Sequence, residues 1–83
     1  MFKRYSYLDE NYFVAIQLRD DLTTVEIRSN ITGLSAKAHA LRFHGDAYNE
    51  DIGINVAHAR AVSRLARKNE KYFIRQTEPA LGY

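Results

Sequence analysis

This chain has no cysteine and no tryptophan, and its 83 residues include only one proline, one methionine and four glycines. Without thiols it can form no disulfide framework, thiolate metal site or cysteine nucleophile, which matches a reducing compartment. So little proline and glycine excludes a low-complexity or collagen-like chain. No stretch approaches the roughly eighteen apolar residues of a membrane span. The N-terminus has Lys3 and Arg4, followed by Tyr5, Ser6, Tyr7, Leu8, Asp9 and Glu10, and lacks the apolar centre of a signal peptide. These absences predict a soluble, cytoplasmic protein with no membrane partner.

Catalytic signals are equally scarce. There is no glycine-rich phosphate loop, no serine nucleophile motif, and no base placed near a candidate nucleophile. His39 and His44 with Asp46 match no standard metal spacing, and His58 falls among apolar residues, as a neutral core or interface histidine does. The carboxylate pairs Asp20–Asp21 and Glu50–Asp51 are explained by a turn and by a helix start. The expectation is a non-enzymatic protein that needs no cofactor or metal.

The strongest pattern occupies residues 49–76, NEDIGINVAHARAVSRLARKNEKYFIRQ. At 100° per residue it divides into two arcs. Ile54, Ala57, His58, Ala61, Val62, Leu65, Ala66, Tyr72 and Phe73 fall on one side. Arg60, Arg64, Arg67, Lys68, Lys71 and Arg75 fall on the other. Between residues 60 and 75 six cations face a single carboxylate, Glu70, so this face carries +5 while the chain as a whole carries +2. Asn49 caps the predicted helix, with Glu50 and Asp51 in its first turn, where the helix dipole favours negative charge. Gly53 implies close backbone approach or a kink. Tyr72, Phe73 and Ile74 either dock a last turn or continue as an extended segment, and Pro79 is expected to stop the helix before it.

Upstream, residues 12–19 alternate, with Tyr12, Val14, Ile16 and Leu18 opposite Phe13, Ala15, Gln17 and Arg19. After Asp20 and Asp21 the β-branched stretch 22–31 follows, a hairpin signal. Gly33 marks the next turn. Residues 35–44 then place Ala36, Ala38 and Ala40 opposite Lys37, His39, Leu41 and Phe43. A helix bearing Ala57 and Ala61 fits against the alanine row, leaving Phe13, His39, Leu41 and Phe43 on an outer face that is apolar for a three-stranded sheet. Either the parity is reversed, the aromatic N-terminus covers that face, or a second subunit does. Residues 1–10, with Phe2, Tyr5 and Tyr7, read as an edge strand, a single helical turn or an arm.

The segment HGDAYNEDIGINVAHARAVSRLA, with Asp46, Ile52, Gly53, Val56, Ala57, Ala59, Arg60, Ala61, Val62, Leu65 and Ala66 at the matching positions, resembles an uncharacterised family of small bacterial proteins with a fold like a double-stranded-RNA-binding domain. The resemblance covers about residues 11–68 and implies the fold rather than an activity. It is compatible with a phage or mobile-element origin. Two departures stand out: Gly45 replaces the proline usual beside the acidic loop residue, and residues 1–10 offer no counterpart to the domain's first helix.

The expected architecture is therefore α+β, a three-stranded antiparallel sheet on one long C-terminal helix, dsRBD-like. Residues 1–10 form an arm or edge strand, 11–78 the domain and 79–83 a tail. The basic face, Arg60, Arg64, Arg67, Lys68, Lys71 and Arg75, reads as a surface for RNA or DNA duplexes, for an acidic protein, or for solvent alone. The alternative function is a protein-binding adaptor or inhibitor, homo-oligomeric, using Phe13, His39, Leu41 and Phe43 with Tyr5 and Tyr7.

Overall fold

A computed structural model describes residues 2–41 and 50–81. Runs of alternating residues separated by short polar turns form four strands: β1 (Phe2–Leu8), β2 (Tyr12–Arg19), β3 (Leu22–Ser29) and β4 (Ser35–Leu41). The helix α1 (Glu50–Leu81) follows. The strands make one antiparallel meander in the order β1-β2-β3-β4. The expected three strands are thus four. The aromatic N-terminus pairs along its whole length with β2, from Phe2 opposite Arg19 to Leu8 opposite Phe13. Its own alternation is weak because β1 is exposed at every position, so burial imposes no apolar-polar period on it.

Each turn is closed by local chemistry. Asp9 donates its N–H to the Tyr12 carbonyl at 2.8 Å, and its side chain accepts from the Asn11 amide at 3.2 Å. Asp20 sits at φ +54° in the two-residue connection between β2 and β3, a backbone region that Asp tolerates better than most residues. Between β3 and β4, the Ser29 hydroxyl accepts from the amides of Ile31 and Thr32, both at 3.1 Å. There Gly33 takes φ +77°, as glycine does at no steric cost.

Val14, Ile16 and Leu18 of β2, Val25 and Ile27 of β3, and Ala36, Ala38 and Ala40 of β4 lie buried on one face with Ala57, Ala61 and Leu65 of α1. The alanines explain the geometry. Small side chains on both surfaces let the helix axis sit low over β3 and β4, the strands it contacts, and methyl-to-methyl packing replaces long interdigitation. Gly53 extends this approach: a Cβ there would lie 2.9 Å from Thr23 Oγ1, so close packing, rather than a kink, accounts for the glycine.

At 32 residues the helix is about 48 Å long, whereas an eight-residue strand spans about 27 Å. Its C-terminal turns therefore run beyond the 30–34 turn, and Phe73 and Ile74 there are half-exposed. The helix does not stop before Pro79 but continues to Leu81. The proline forfeits the one bond its missing N–H would give to the Arg75 carbonyl, and two further residues stay helical after it. The Asn49 cap and the end of the strand expected over 35–44 lie outside the described residues.

Candidate functional site

The sheet leaves β4 as an edge strand, and the helix treats that edge in a specific way. Arg60 donates to the His39 carbonyl at 2.8 Å, Arg64 to the Lys37 carbonyl at 2.7 Å and Lys68 to the Ser35 carbonyl at 2.6 Å. The spacing makes this ladder feasible. Four helical residues advance about 6 Å, two strand residues about 6.6–6.8 Å, and long side chains absorb the difference. The helix climbs as the strand descends, so consecutive turns of α1 meet alternate carbonyls of β4.

The ladder also follows from strand pairing. Antiparallel residues direct N–H and C=O to the same side, alternating along the strand. The Ser29 amide bonds the Leu34 carbonyl at 2.8 Å, so Val25 and Ile27 turn their backbone groups towards Ala38 and Ala36, their partners in β4. Ser35, Lys37 and His39 are consequently the residues whose carbonyls face outwards. Exposed edge carbonyls invite strand addition, and these three are covered by cations.

The six predicted basic residues thus divide. Arg60, Arg64 and Lys68 line the shoulder of the helix beside β4. The side chains of Arg67, Lys71 and Arg75 make no hydrogen bond among the described residues. Lys71 and Arg75, together with Lys68, line a shallow, open groove with Leu34, Tyr72 and Gln76, where the helix passes over the 30–34 turn. Thr32 Oγ1 donates to Asn69 Oδ1 at 2.8 Å and fixes that end of the helix on the turn. Since a neutral carbonyl cancels no charge, Arg60, Arg64 and Lys68 remain a row of positive charge at one-turn spacing. Their shared i, i+4, i+8 spacing was visible in sequence, but a helical wheel shows no strand edge.

The other predicted residues occupy two different faces. Phe13, His39 and Leu41 lie on the outer face, opposite the helix. Phe13 carries the Arg28 guanidinium 5.2 Å from its ring centroid, His39 Nδ1 bonds Thr24 Oγ1 at 2.9 Å, and Leu41 is exposed. Phe43 lies outside the described residues. Tyr5 and Tyr7 pair with the buried Ile16 and Val14, which puts them on the helix side of the sheet, beyond the strands that α1 covers. They therefore cannot share one surface with Phe13, His39 and Leu41. His58 is half-buried on the helix. Among the described residues no cluster of His, Asp and Glu could hold a metal ion, and no helix is long and apolar enough to cross a membrane.

These features define a small α+β domain, an antiparallel sheet of four strands on one C-terminal helix. No family model, curated protein or solved structure matches the chain.

Proposed function

We propose that this protein is a non-enzymatic binding module whose partner is a nucleic-acid duplex, held through phosphates by the cations of α1. One observation carries the reading: Arg60, Arg64 and Lys68 are held in a line by the β4 carbonyls without losing charge, and Lys71 and Arg75 continue that line past the sheet. Ordering long cationic side chains before binding lowers the entropy cost of meeting a phosphate row, and phosphate neutralisation releases counterions. Glu50 and Asp51 place negative charge at the other end of the helix, so the surface begins at Arg60. Kinship with the dsRBD-like family belongs to this proposal, with β1 standing where that domain has its first helix.

The test is fluorescence anisotropy of a labelled mixed-sequence RNA duplex, with a DNA duplex of the same sequence beside it, at low and physiological salt. Binding should weaken steeply with salt. Lys71→Glu with Arg75→Glu should lower affinity at least about tenfold, since phosphate contacts dominate duplex affinity, while leaving the thermal melt unchanged. No binding at low salt, or indifference to the double reversal, would sink the reading.

The second reading, an adaptor or inhibitor that binds protein, draws on the outer sheet face. Leu8 is exposed there beside Phe13, and Phe2, Leu22 and Leu41 are exposed at the other end of the same face, around Arg19. Leu41→Asp should abolish capture of such a partner and leave duplex binding intact.

A further inference from the structure

The two edges of the sheet are treated differently. The helix cations cover β4, whereas β1 is exposed at all seven positions, and nothing among the described residues pairs with its far side. The hydrogen bond from Asp9 N–H to the Tyr12 carbonyl makes residues 9 and 12 a bonded pair. Lys3, Tyr5 and Tyr7, an even number of residues away, therefore direct their backbone groups at β2. Phe2, Arg4, Ser6 and Leu8 direct theirs outwards.

We infer that this protein forms a homodimer by antiparallel pairing of β1 with β1 of a second copy across a two-fold axis at Tyr5, joining the two sheets into one. Parity leaves few registers, because outward-facing residues must meet outward-facing residues. Centring on Tyr5 sets Phe2 against Leu8 and Arg4 against Ser6 of the other copy, uses the whole strand, and forms up to about eight backbone bonds. Sliding by two residues one way brings Arg4 onto its own symmetry mate, a like-charge pair directly opposite, which is unfavourable. Sliding the other way sets Ser6 on its mate and leaves Phe2 without an opposite residue.

In the Tyr5-centred register no two cations face each other, and both apolar ends of the strand are matched. The two Tyr5 rings meet on the helix side as a closely spaced non-bonded pair, and Lys3 lies opposite Tyr7, where an ammonium can sit against the ring. Tyr5 and Tyr7, now 41% and 43% exposed, would bury the surface that α1 leaves uncovered. An isologous contact of this kind closes on itself and does not propagate. The inference rests on the β1 edge alone and stands apart from the nucleic-acid proposal.

Sedimentation equilibrium on the full chain across a wide concentration range tests it, with three variants at Ser6. The wild type should be a monomer–dimer system. Ser6→Pro removes an N–H that bonds nothing among the described residues, a position where an edge strand accepts proline, and should give a monomer with unchanged helical circular dichroism. Ser6→Glu places a carboxylate against Arg4 of the partner and Ser6→Arg places a second cation there. Two such pairs per dimer should separate the two dissociation constants about tenfold or more at low salt, Glu the tighter. If Ser6→Pro fails to fold, the Glu and Arg variants still decide the register. A wild type that stays monomeric throughout overturns the inference, as does a dimer indifferent to the charge at position 6.

Discussion

Replacing Gly53 by alanine would normally strengthen a helix by about 1 kcal/mol, the propensity difference between the two residues. Here the opposite is expected. The new Cβ would lie 2.9 Å from Thr23 Oγ1 and 3.7 Å from Thr23 Cβ. Thr23 is itself buried and β-branched, so of its other two rotamers one brings the methyl into the same space and the other relocates both hydroxyl and methyl within a packed surrounding. Overpacking of this kind costs about 1–3 kcal/mol. Set against the helix gain, a middle value leaves Gly53→Ala about 1 kcal/mol less stable than the wild type, a fall in melting temperature of about 4–8 °C for a domain of this size. With Thr23→Ala already in place the obstruction is gone, and the same change should stabilise by up to about 1 kcal/mol. The coupling between the two sites is then about 2 kcal/mol, far above the few tenths seen for independent positions. Urea and thermal melts of the four proteins measure it. If Gly53→Ala stabilises the wild type as much as it stabilises Thr23→Ala, the helix does not lie as low over β3 as described.

Three further outcomes follow from the same geometry. Leu65→Ala empties the largest helical contribution to the core, Leu65 being 1% exposed; it should cost about 2–5 kcal/mol in a denaturant melt, enough to unfold much of a domain this small. Ala38→Leu should destabilise by about 1–3 kcal/mol, because an alanine fully buried in the same cluster as Ala57 and Ala61 has no room for a branched side chain, whereas Glu26→Gln on the outer face should be nearly neutral. Replacing Arg60, Arg64 and Lys68 together by alanine should leave a folded chain with β4 uncovered. Light scattering should then show species larger than any the wild type forms, and a triple variant no more associated than the wild type would contradict the edge-capping role.

How legible was this protein in its sequence? The β2–β3 hairpin and the alanine face of β4 could be read from two-residue alternation, since burial on one side of a sheet imposes it. The helix could be read from its apolar arc for the corresponding reason, and Ala57, Ala61 and Leu65 are buried as that arc requires. β1 could not, because a strand exposed on both faces has no pattern for burial to enforce. Pro79 misled because proline removes one bond to the preceding turn without preventing the last residues from staying helical. Tyr5 and Tyr7 could be grouped with Phe13 only while the register of β1 against β2 was unknown.

The primary sequence by itself determined which residues belong to the apolar layer and which carry charge, because local periodicity and composition decide what each element can bury. It also concentrated six cations on one helix. Only the tertiary structure decided what those cations do. Arg60, Arg64 and Lys68 meet the carbonyls of His39, Lys37 and Ser35, 21 to 33 residues earlier in the chain. That partnership exists because folding brings a helix with a step of about 6 Å alongside a strand with nearly the same two-residue repeat. The backbone groups it satisfies are the same at every residue, so no side-chain pattern could reveal them. The open edge on β1 and the covered edge on β4 have the same origin: strand order, a property of the whole sheet, decides which strands lie at its margins.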